Sequence, residues 1–257
     1  MTEDLRLNVA LSCRILGMMG LVSGSTGHVS ARIPESDEMW LRCRGGNEMG
    51  VLFTGLHNVR RVDYDGNGPG LGDQHASPSE TAIHGAIYRA HPQVGAVIHA
   101  HPPYSMLCSV ASVPFRPVFG AFSPSMLRMA ILGIPLYPAV RTVSSPREAT
   151  AMLESMGQRD VLLMRGHGIT VTGPTVEDAT IRALQLEELA RLMWEMACSG
   201  RQIPDIPADD IRRYGRVGRS AEPRTRWEGL PDAGRWEWKL YVKMLEVRNI
   251  GVPDDHG

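Results

Sequence analysis

The spacing of apolar residues along the chain changes repeatedly between the period of a helix and that of a strand. Residues 4–19 place Leu5, Val9, Leu16 and Met19 at helical spacing, and Gly20 follows as a stop signal. The same pattern, with its caps and stops, predicts further helices at residues 78–90, 125–132, 147–156, 176–198 and 235–248. Six helices are therefore expected, distributed from the start of the chain to its end.

Runs of β-branched and apolar residues lie between these helices. They predict a short strand ending at Arg32 and further strands at residues 39–42, 51–53, 94–101, 134–140, 160–164 and 169–172. Strands flanked by helices, with no internal repeat, indicate one α/β domain, which we assign to residues 1–210. Residues 201–231 are rich in Pro, Arg and Asp and predict irregular backbone. Residues 211–257 are expected to be a C-terminal extension that packs on the domain or on a neighbouring subunit.

Composition excludes several classes of partner. The chain has 257 residues, and its 27 Lys and Arg nearly balance its 28 Asp and Glu, so no overall field attracts nucleic acid or an anionic membrane surface. The N-terminus is acidic where a signal peptide is basic, and no apolar run reaches membrane-spanning length. The four cysteines lack the spacing of a metal site or a disulfide framework. These features predict a cytoplasmic protein.

A pair of histidines ends the strand predicted at residues 94–101. Side chains alternate along a strand, so His99 and His101 project from the same face, within reach of one cation. Pro102 and Pro103 forbid extension of the strand, and ligand sites in open α/β sheets gather beyond strand ends. Two histidines at this spacing also occur by chance, so the pair alone is a weak signal.

A metal site needs at least one further ligand. His167 lies between two glycines in the turn at residues 165–168 and is the best-placed candidate. A lone histidine in such a turn is more often a structural hydrogen-bonding residue. The ligand role therefore depends on whether the fold brings this turn to His99 and His101.

Glu80 has two interpretations. Ser77, Pro78 and Glu80 fit a capping box at the start of a helix, with serine as the N-cap and glutamate at the third helical position. Alternatively, the carboxylate faces the metal, where it completes the coordination or acts as a general acid and base. The local pattern is the same in both cases.

Five motifs in order resemble the class II aldolase and adducin family, typified by fuculose-phosphate aldolase, over residues 5–200. They are Gly24-Ser-Thr-Gly27-His-Val-Ser-Ala-Arg32, Phe53-Thr-Gly55, Ser77-Pro-Ser-Glu80 followed by His84-Gly-Ala-Ile-Tyr88, Ala96-Val-Ile-His-Ala-His101 and Arg165-Gly-His-Gly168. The resemblance implies a three-layer α/β/α fold around a mainly antiparallel sheet. It also implies a homotetramer whose interfacial active sites each contain a divalent cation, commonly zinc, with Mn²⁺, Co²⁺ or Fe²⁺ as alternatives.

The resemblance also assigns roles by position. It makes His99, His101 and His167 the metal ligands and Glu80 the catalytic acid and base. Substrate contacts are expected from the remaining motif residues, Ser25, Thr54, Gly55, Ser79 and Arg165.

Three departures from the sugar-phosphate aldolase pattern bear on the substrate. His28 stands where those aldolases have a phosphate-binding asparagine, Pro78 replaces a serine, and residues 119–125 lack the tyrosine that acts as an acid across the aldolase interface. The chain is more similar to the family's dihydroxyphthalate-type decarboxylase branch. There, Glu80 or His28 is expected to donate the proton, and Arg165 to hold the carboxylate.

The predicted function is therefore metal-dependent decarboxylation of a dihydroxylated aromatic carboxylate or a hydroxydienoic acid. The alternative is a class II aldolase that acts on a non-phosphorylated or aromatic aldol. Adducin-like members of the family lack the metal histidines, so the presence of all three argues against a purely structural role.

Overall fold

The structure is a computed structural model, and it describes residues 2–120, 122–217 and 235–252. Its helices are α1 (Thr2–Met18), α2 (Thr81–Ala90), α3 (Pro103–Ala111), α4 (Pro124–Leu132), α5 (Pro146–Met156), α6 (Val176–Cys198), α7 (Ala208–Val217) and α8 (Trp236–Val247). Its strands are β1 (His28–Arg32), β2 (Glu38–Arg42), β3 (Arg44–Gly45), β4 (Val59–Asp63), β5 (His75–Ala76), β6 (Ala96–Ala100), β7 (Leu136–Tyr137), β8 (Val161–Met164) and β9 (Gly168–Gly173).

The described strands form one large and one small sheet. The large sheet has seven strands in the order β4-β2-β1-β6-β9-β8-β7, and β3 pairs with β5 separately. Every neighbouring pair in the large sheet is antiparallel except β7 and β8. The prediction of a mainly antiparallel sheet is confirmed.

Each face of the large sheet is covered by helices. Alternate residues such as Val29 and Ile98 point to one face and pack with α1 and α6. Val97 and Leu162 point to the other face and pack with residues of α2 and α5, including Ile83. The chain is thus a three-layer α/β/α structure with a hydrophobic core on each side of the sheet.

Two predicted strands differ from the structure. Val51–Phe53 is a 3-10 helix that packs against α1, and it follows Gly50, which has a positive φ of 98°. The strand expected at residues 134–140 shrinks to β7, because Pro135 and Pro138 flank it and cannot donate to the sheet. Strand β4 and helix α3 were not predicted.

The predicted capping box at Ser77–Glu80 is wrong. Helix α2 begins at Thr81 with Glu80 as its N-cap residue, and the Glu80 side chain makes no capping hydrogen bond. The Ser77 hydroxyl instead donates to the carbonyl of Gly66 at 2.6 Å. This arrangement leaves the Glu80 carboxylate available to the interior.

The C-terminal part of the described chain is more ordered than expected. Part of the stretch predicted to be irregular forms α7, which crosses the predicted domain boundary at residue 210, while residues 218–231 lie outside the described residues. Helix α8 packs against α1 and α6, and it buries Trp238 and Leu245 in the core on that side. The division into a domain and an extension stays a prediction. None of the described helices combines the length and apolarity needed to cross a membrane.

A buried carboxylate from α6 holds the start of α3. Glu187 accepts hydrogen bonds from the backbone amides of Tyr104 and Ser105, each at 2.8 Å, and from the Ser105 hydroxyl at 2.7 Å. These amides belong to the first turn of α3, where backbone N–H groups have no acceptor within the helix. Glu187 therefore acts as a remote cap for the segment that follows His101.

We expect Glu187→Ala to destabilise the fold by about 1–3 kcal/mol, because it leaves the buried amide of Ser105 and the half-buried amide of Tyr104 without an acceptor. Thermal unfolding followed by circular dichroism should show a melting temperature lower by about 2–4 °C per kcal/mol. The matched control is Glu188→Ala, which removes a half-exposed carboxylate paired with Arg191 and should change stability by less than about 0.5 kcal/mol. Equal losses in the two variants would contradict the capping role.

Candidate metal centre

The end of β6 brings two imidazoles together. His99 lies within β6 and is fully buried, and His101 directly follows the strand. Their Nε2 atoms are 3.0 Å apart. The expectation that both side chains share one face of the strand is confirmed.

The turn between β8 and β9 delivers a third imidazole. The His167 ring lies with its centroid 4.9 Å from that of His99 and 5.1 Å from that of His101. Two glycines permit this approach. Gly166 adopts a positive φ of 59°, and a Cβ atom on Gly168 would lie 2.2 Å from the carbonyl oxygen of Ala100. The fold therefore joins a turn and a strand end that are far apart in sequence.

Glu80 faces the same point from the start of α2. Its Oε2 atom lies 3.2 Å from Nε2 of His99 and 3.4 Å from Nε2 of His167. Its Oε1 atom accepts a hydrogen bond from the amide of Val143 at 3.0 Å. Burial raises the pKa of Glu80, but hydrogen bonds from His167 and His99 lower it by more, so the net pKa lies well below its usual range. The carboxylate is held in its anionic form.

These four side chains fit a divalent cation. Each of them, Glu80, His99, His101 and His167, offers one ligand atom, and the four atoms lie within 4.8 Å of one another. Tetrahedral zinc with metal–nitrogen distances near 2.0–2.1 Å separates its ligands by about 3.3–3.4 Å, close to the observed 3.0, 3.2 and 3.4 Å. Burial and the neighbouring His99 lower the pKa of His101 to about 4, so this ring is neutral at pH 7, as a metal ligand must be.

His28 lies directly beside this cluster. Strand β1 pairs with β6 so that His28 stands opposite His99, and the centroids of the two rings are 5.1 Å apart. The Nδ1 atom of His28 is 2.6 Å from Nε2 of His84, a residue of α2. Burial is the main cause that lowers the pKa of both rings, to about 3 for His84. Both imidazoles are therefore neutral at pH 7.

The sequence places His84 in the motif that follows Glu80, and we expected no functional role for it, although a signal for one was present. Glu80, His84 and Tyr88 are spaced four residues apart, which places them on one side of α2. His28 and Ser30 are two apart on β1, which places them on one face of the sheet. The polar side chains of α2 contact those of β1, because α2 packs on that face of the sheet.

The predicted contacts Ser25 and Ser79 lie outside the group of three histidines and Glu80. Ser25 is half-buried in the loop before β1, and its carbonyl accepts hydrogen bonds from Arg42 and Arg44, each at 3.3 Å. Ser79 is exposed and precedes Glu80 in the chain. Their substrate-binding roles stay predictions.

The other predicted contacts are Thr54, Gly55 and Arg165. The Thr54 hydroxyl donates to a backbone carbonyl of its own loop at 2.8 Å, and the Gly55 amide donates to the side chain of Asn58 at 2.9 Å, so both donors are already used. Arg165 lies in the same turn as His167. Its Nε atom is buried and makes no hydrogen bond to the described residues. These substrate contacts also stay predictions.

Comparisons with known proteins identify the family to which the sequence is similar. The profile of the family described as Class II Aldolase and Adducin N-terminal domain matches residues 8–194. The 3,4-dihydroxyphthalate decarboxylase of Arthrobacter keyseri is 37% identical over 222 residues, which cover 85% of this chain and 89% of that protein. The protein of the same name from Terrabacter sp. (strain DBF63) is 35% identical, over 85% of this chain and 92% of its own.

A solved structure has the same fold. The aldolase II superfamily protein from Pseudomonas syringae superposes with a TM-score of 0.81 and covers 98% of this chain and 95% of its own. Its sequence identity is 18%, so the likeness concerns the fold alone. The three-layer arrangement is thus that of a class II aldolase.

We expect the purified protein to bind one divalent cation per chain through His99, His101 and His167. A triple alanine variant should retain its helical circular dichroism but lose the metal found by elemental analysis after zinc loading and dialysis, because a lone carboxylate is a weak zinc site. The control is the double alanine variant of His57 and His91, which lie outside the cluster. Stoichiometric zinc in the triple variant would contradict the assignment.

Proposed function

The chain belongs to the class II aldolase and adducin family, and on this basis we propose that it is a metal-dependent decarboxylase. The proposed substrate is a dihydroxylated aromatic carboxylate resembling 3,4-dihydroxyphthalate, or a hydroxydienoic acid. One observation carries the proposal. An imidazole, that of His28, stands beside the three histidines and Glu80, where the sugar-phosphate pattern places a phosphate-binding asparagine. The names and 35–37% identities of the two decarboxylases support it.

Decarboxylation replaces a carbon–carbon bond by a carbon–hydrogen bond. The carboxylate leaves as carbon dioxide, its bonding electrons stay on the former partner carbon, and that carbon takes up one proton. A divalent cation bound at this site would supply the sink for these electrons through the substrate oxygens, and we propose Zn²⁺, with Mn²⁺, Co²⁺ or Fe²⁺ as alternatives. His99, His101 and His167 would hold the cation.

Glu80 is the proposed carrier of the proton. A cation held by the neighbouring histidines favours the anionic carboxylate, which can therefore first act as a base. Its Oε2 atom, which faces the three histidines, takes a proton from a substrate hydroxyl and returns it to the carbon that loses carbon dioxide. Oε1 stays bound to the Val143 amide and keeps the carboxylate oriented.

The remaining parts of the site are proposed from the family pattern. Arg165 carries a permanent charge and would hold a substrate carboxylate. Ser25, Thr54, Gly55 and Ser79 would line the substrate. We further propose a homotetramer with interfacial active sites in the cytoplasm, in which the neighbouring subunit completes each site.

We expect the zinc-loaded protein to release carbon dioxide from at least one member of a panel of dihydroxybenzoic and dihydroxyphthalic acids. Membrane-inlet mass spectrometry detects the gas directly, and the protein stripped of metal by a chelator is the control. Rapid cleavage of fuculose or rhamnulose phosphate, without carbon dioxide from any acid of the panel, would favour the aldolase alternative.

We expect Glu80→Gln to keep its metal and lower turnover by about 10²-fold or more, because the amide preserves size but cannot carry the proton. Steady-state kinetics and elemental analysis measure the two effects. The matched control is Glu148→Gln, since Glu148 forms a true capping box with Ser145 at the start of α5. If Glu80→Gln behaved like this control, with a lower melting temperature and normal turnover, the catalytic role would be refuted.

A further inference from the structure

Four polar side chains form a continuous hydrogen-bonded chain between α2 and β1. Nδ1 of His28 meets Nε2 of His84 at 2.6 Å, and Nδ1 of His84 meets the Ser30 hydroxyl at 2.6 Å. The Ser30 hydroxyl meets the Tyr88 hydroxyl at 2.7 Å. All four side chains are buried. This hydrogen-bonded series begins at His28, beside the metal cluster, and ends at Tyr88.

The protons can be arranged along this hydrogen-bonded series in three ways. Each hydroxyl and each neutral imidazole donates one proton, and each of the three contacts needs one donor and one acceptor, but a hydroxyl oxygen can accept twice. In the first arrangement, Tyr88 donates to Ser30, Ser30 to His84 and His84 to His28. In the second, each of these donations is reversed. In the third, His84 and Tyr88 both donate to Ser30, whose buried proton then has no acceptor among the described residues, so the first two remain.

The Tyr88 end decides between the two arrangements. Within the described residues, the Ser30 hydroxyl is the acceptor in reach of the Tyr88 hydroxyl, since the backbone amide of Val97, which also contacts that hydroxyl, can only donate. If His28 donated first, the buried phenol proton would have no acceptor there, and leaving a buried donor unpaired costs free energy. Burial raises the pKa of Tyr88, so the phenol keeps this proton. Tyr88 therefore donates to Ser30, Ser30 donates to His84, and His84 donates to His28.

This direction determines which nitrogen of His28 carries a proton. Because Nδ1 of His28 accepts from His84, its single proton sits on the other ring nitrogen, Nε2. We propose that His28 presents a neutral Nε2–H donor beside the metal cluster, where it binds an anionic oxygen of the substrate. His84, Ser30 and Tyr88 are positioning residues that set this tautomer.

The tautomer has two consequences for the site. A protonated Nε2 cannot ligate a cation, so His28 stays out of the coordination although its ring lies 5.1 Å from that of His99. A neutral imidazole N–H binds an oxygen but does not hand over its proton, which leaves proton transfer to Glu80. Only the identity of the bound oxygen, a substrate carboxylate, rests on the proposed function.

The tautomer can be measured without substrate or metal. Nitrogen-15 NMR of histidine-labelled, metal-free protein distinguishes protonated from unprotonated ring nitrogens, and His28→Asn identifies the His28 signals by their loss. We expect Nδ1 of His28 to be unprotonated and Nε2 to be protonated in the wild type. A wild-type protein with its His28 proton on Nδ1 would overturn the proposed direction.

Two variants of similar size test the positioning role of His84. His84→Gln offers an amide donor and should leave Nδ1 of His28 unprotonated. His84→Glu offers an acceptor alone and should draw a proton onto Nδ1. An unchanged Nδ1 signal in His84→Glu would show that His84 does not set the tautomer. Tyr64→Phe, which removes a hydroxyl from a ring whose centroid lies 5.4 Å from that of Tyr88, should leave the His28 signals unchanged.

Measurements of ligand binding distinguish a failure of this proposal from a failure of the proposed function. Calorimetry of the zinc-loaded protein with 3,4-dihydroxybenzoate and with catechol compares ligands that differ by one carboxylate. His28→Leu should weaken binding of the dihydroxybenzoate by about tenfold or more and leave catechol unaffected, because a hydrogen bond to a charged oxygen is lost. Equal binding by wild type and variant would refute the role of His28. If neither ligand bound the wild type, the proposed substrate class would fail and the tautomer would stand.

Discussion

The register between β1 and β6 is the constraint on which the rest of the site depends. It places His28 opposite His99 and Ser30 opposite Val97, so that the polar residues of both strands point toward α2. A slip of one residue would turn every side chain of β1 to the other face. His28 and Ser30 would then enter the apolar core against α1 and α6. The two hydrophobic cores, one on each face, make such a slip costly and so hold the site in place.

Helix α2 completes the site because one side of it is polar along its whole length. Glu80 at its start meets His99, whereas His84 and Tyr88 meet residues of β1. A buried carboxylate is unfavourable unless it is paired, and here a backbone amide and two imidazoles compensate its burial. The helix thus brings together the anion that a cation needs and the polar chain that orients His28.

The site contains two parts, a group of residues that could hold a cation and His28 beside it. The three histidines and Glu80 form a compact group suited to holding a cation, and this part can serve any reaction that leaves an electron pair on carbon. His28 lies next to that group without belonging to it. If the proposed function holds, a change at this position would alter which anion is recognised while the metal site is retained.

Several features could be predicted from the sequence because they depend on neighbours along the chain. Alternation on a strand places His99 and His101 together, helical spacing locates most of α1, α5, α6 and α8, and the motifs indicate an antiparallel sheet between helices. Local patterns failed where a distant contact competes with them. Ser77–Glu80 fits a capping box, yet the carboxylate binds Val143, a residue 63 positions away.

Tertiary structure alone decided which distant residues meet. The contact between His28 and His84 joins residues 56 positions apart, and no local periodicity reports it. The approach of His167 to His99 depends on two glycines and on the pairing of β6 with β9. Local spacing determines the face on which a side chain lies. Whether two faces meet, and which protons they share, depends on how the helices and the sheet pack.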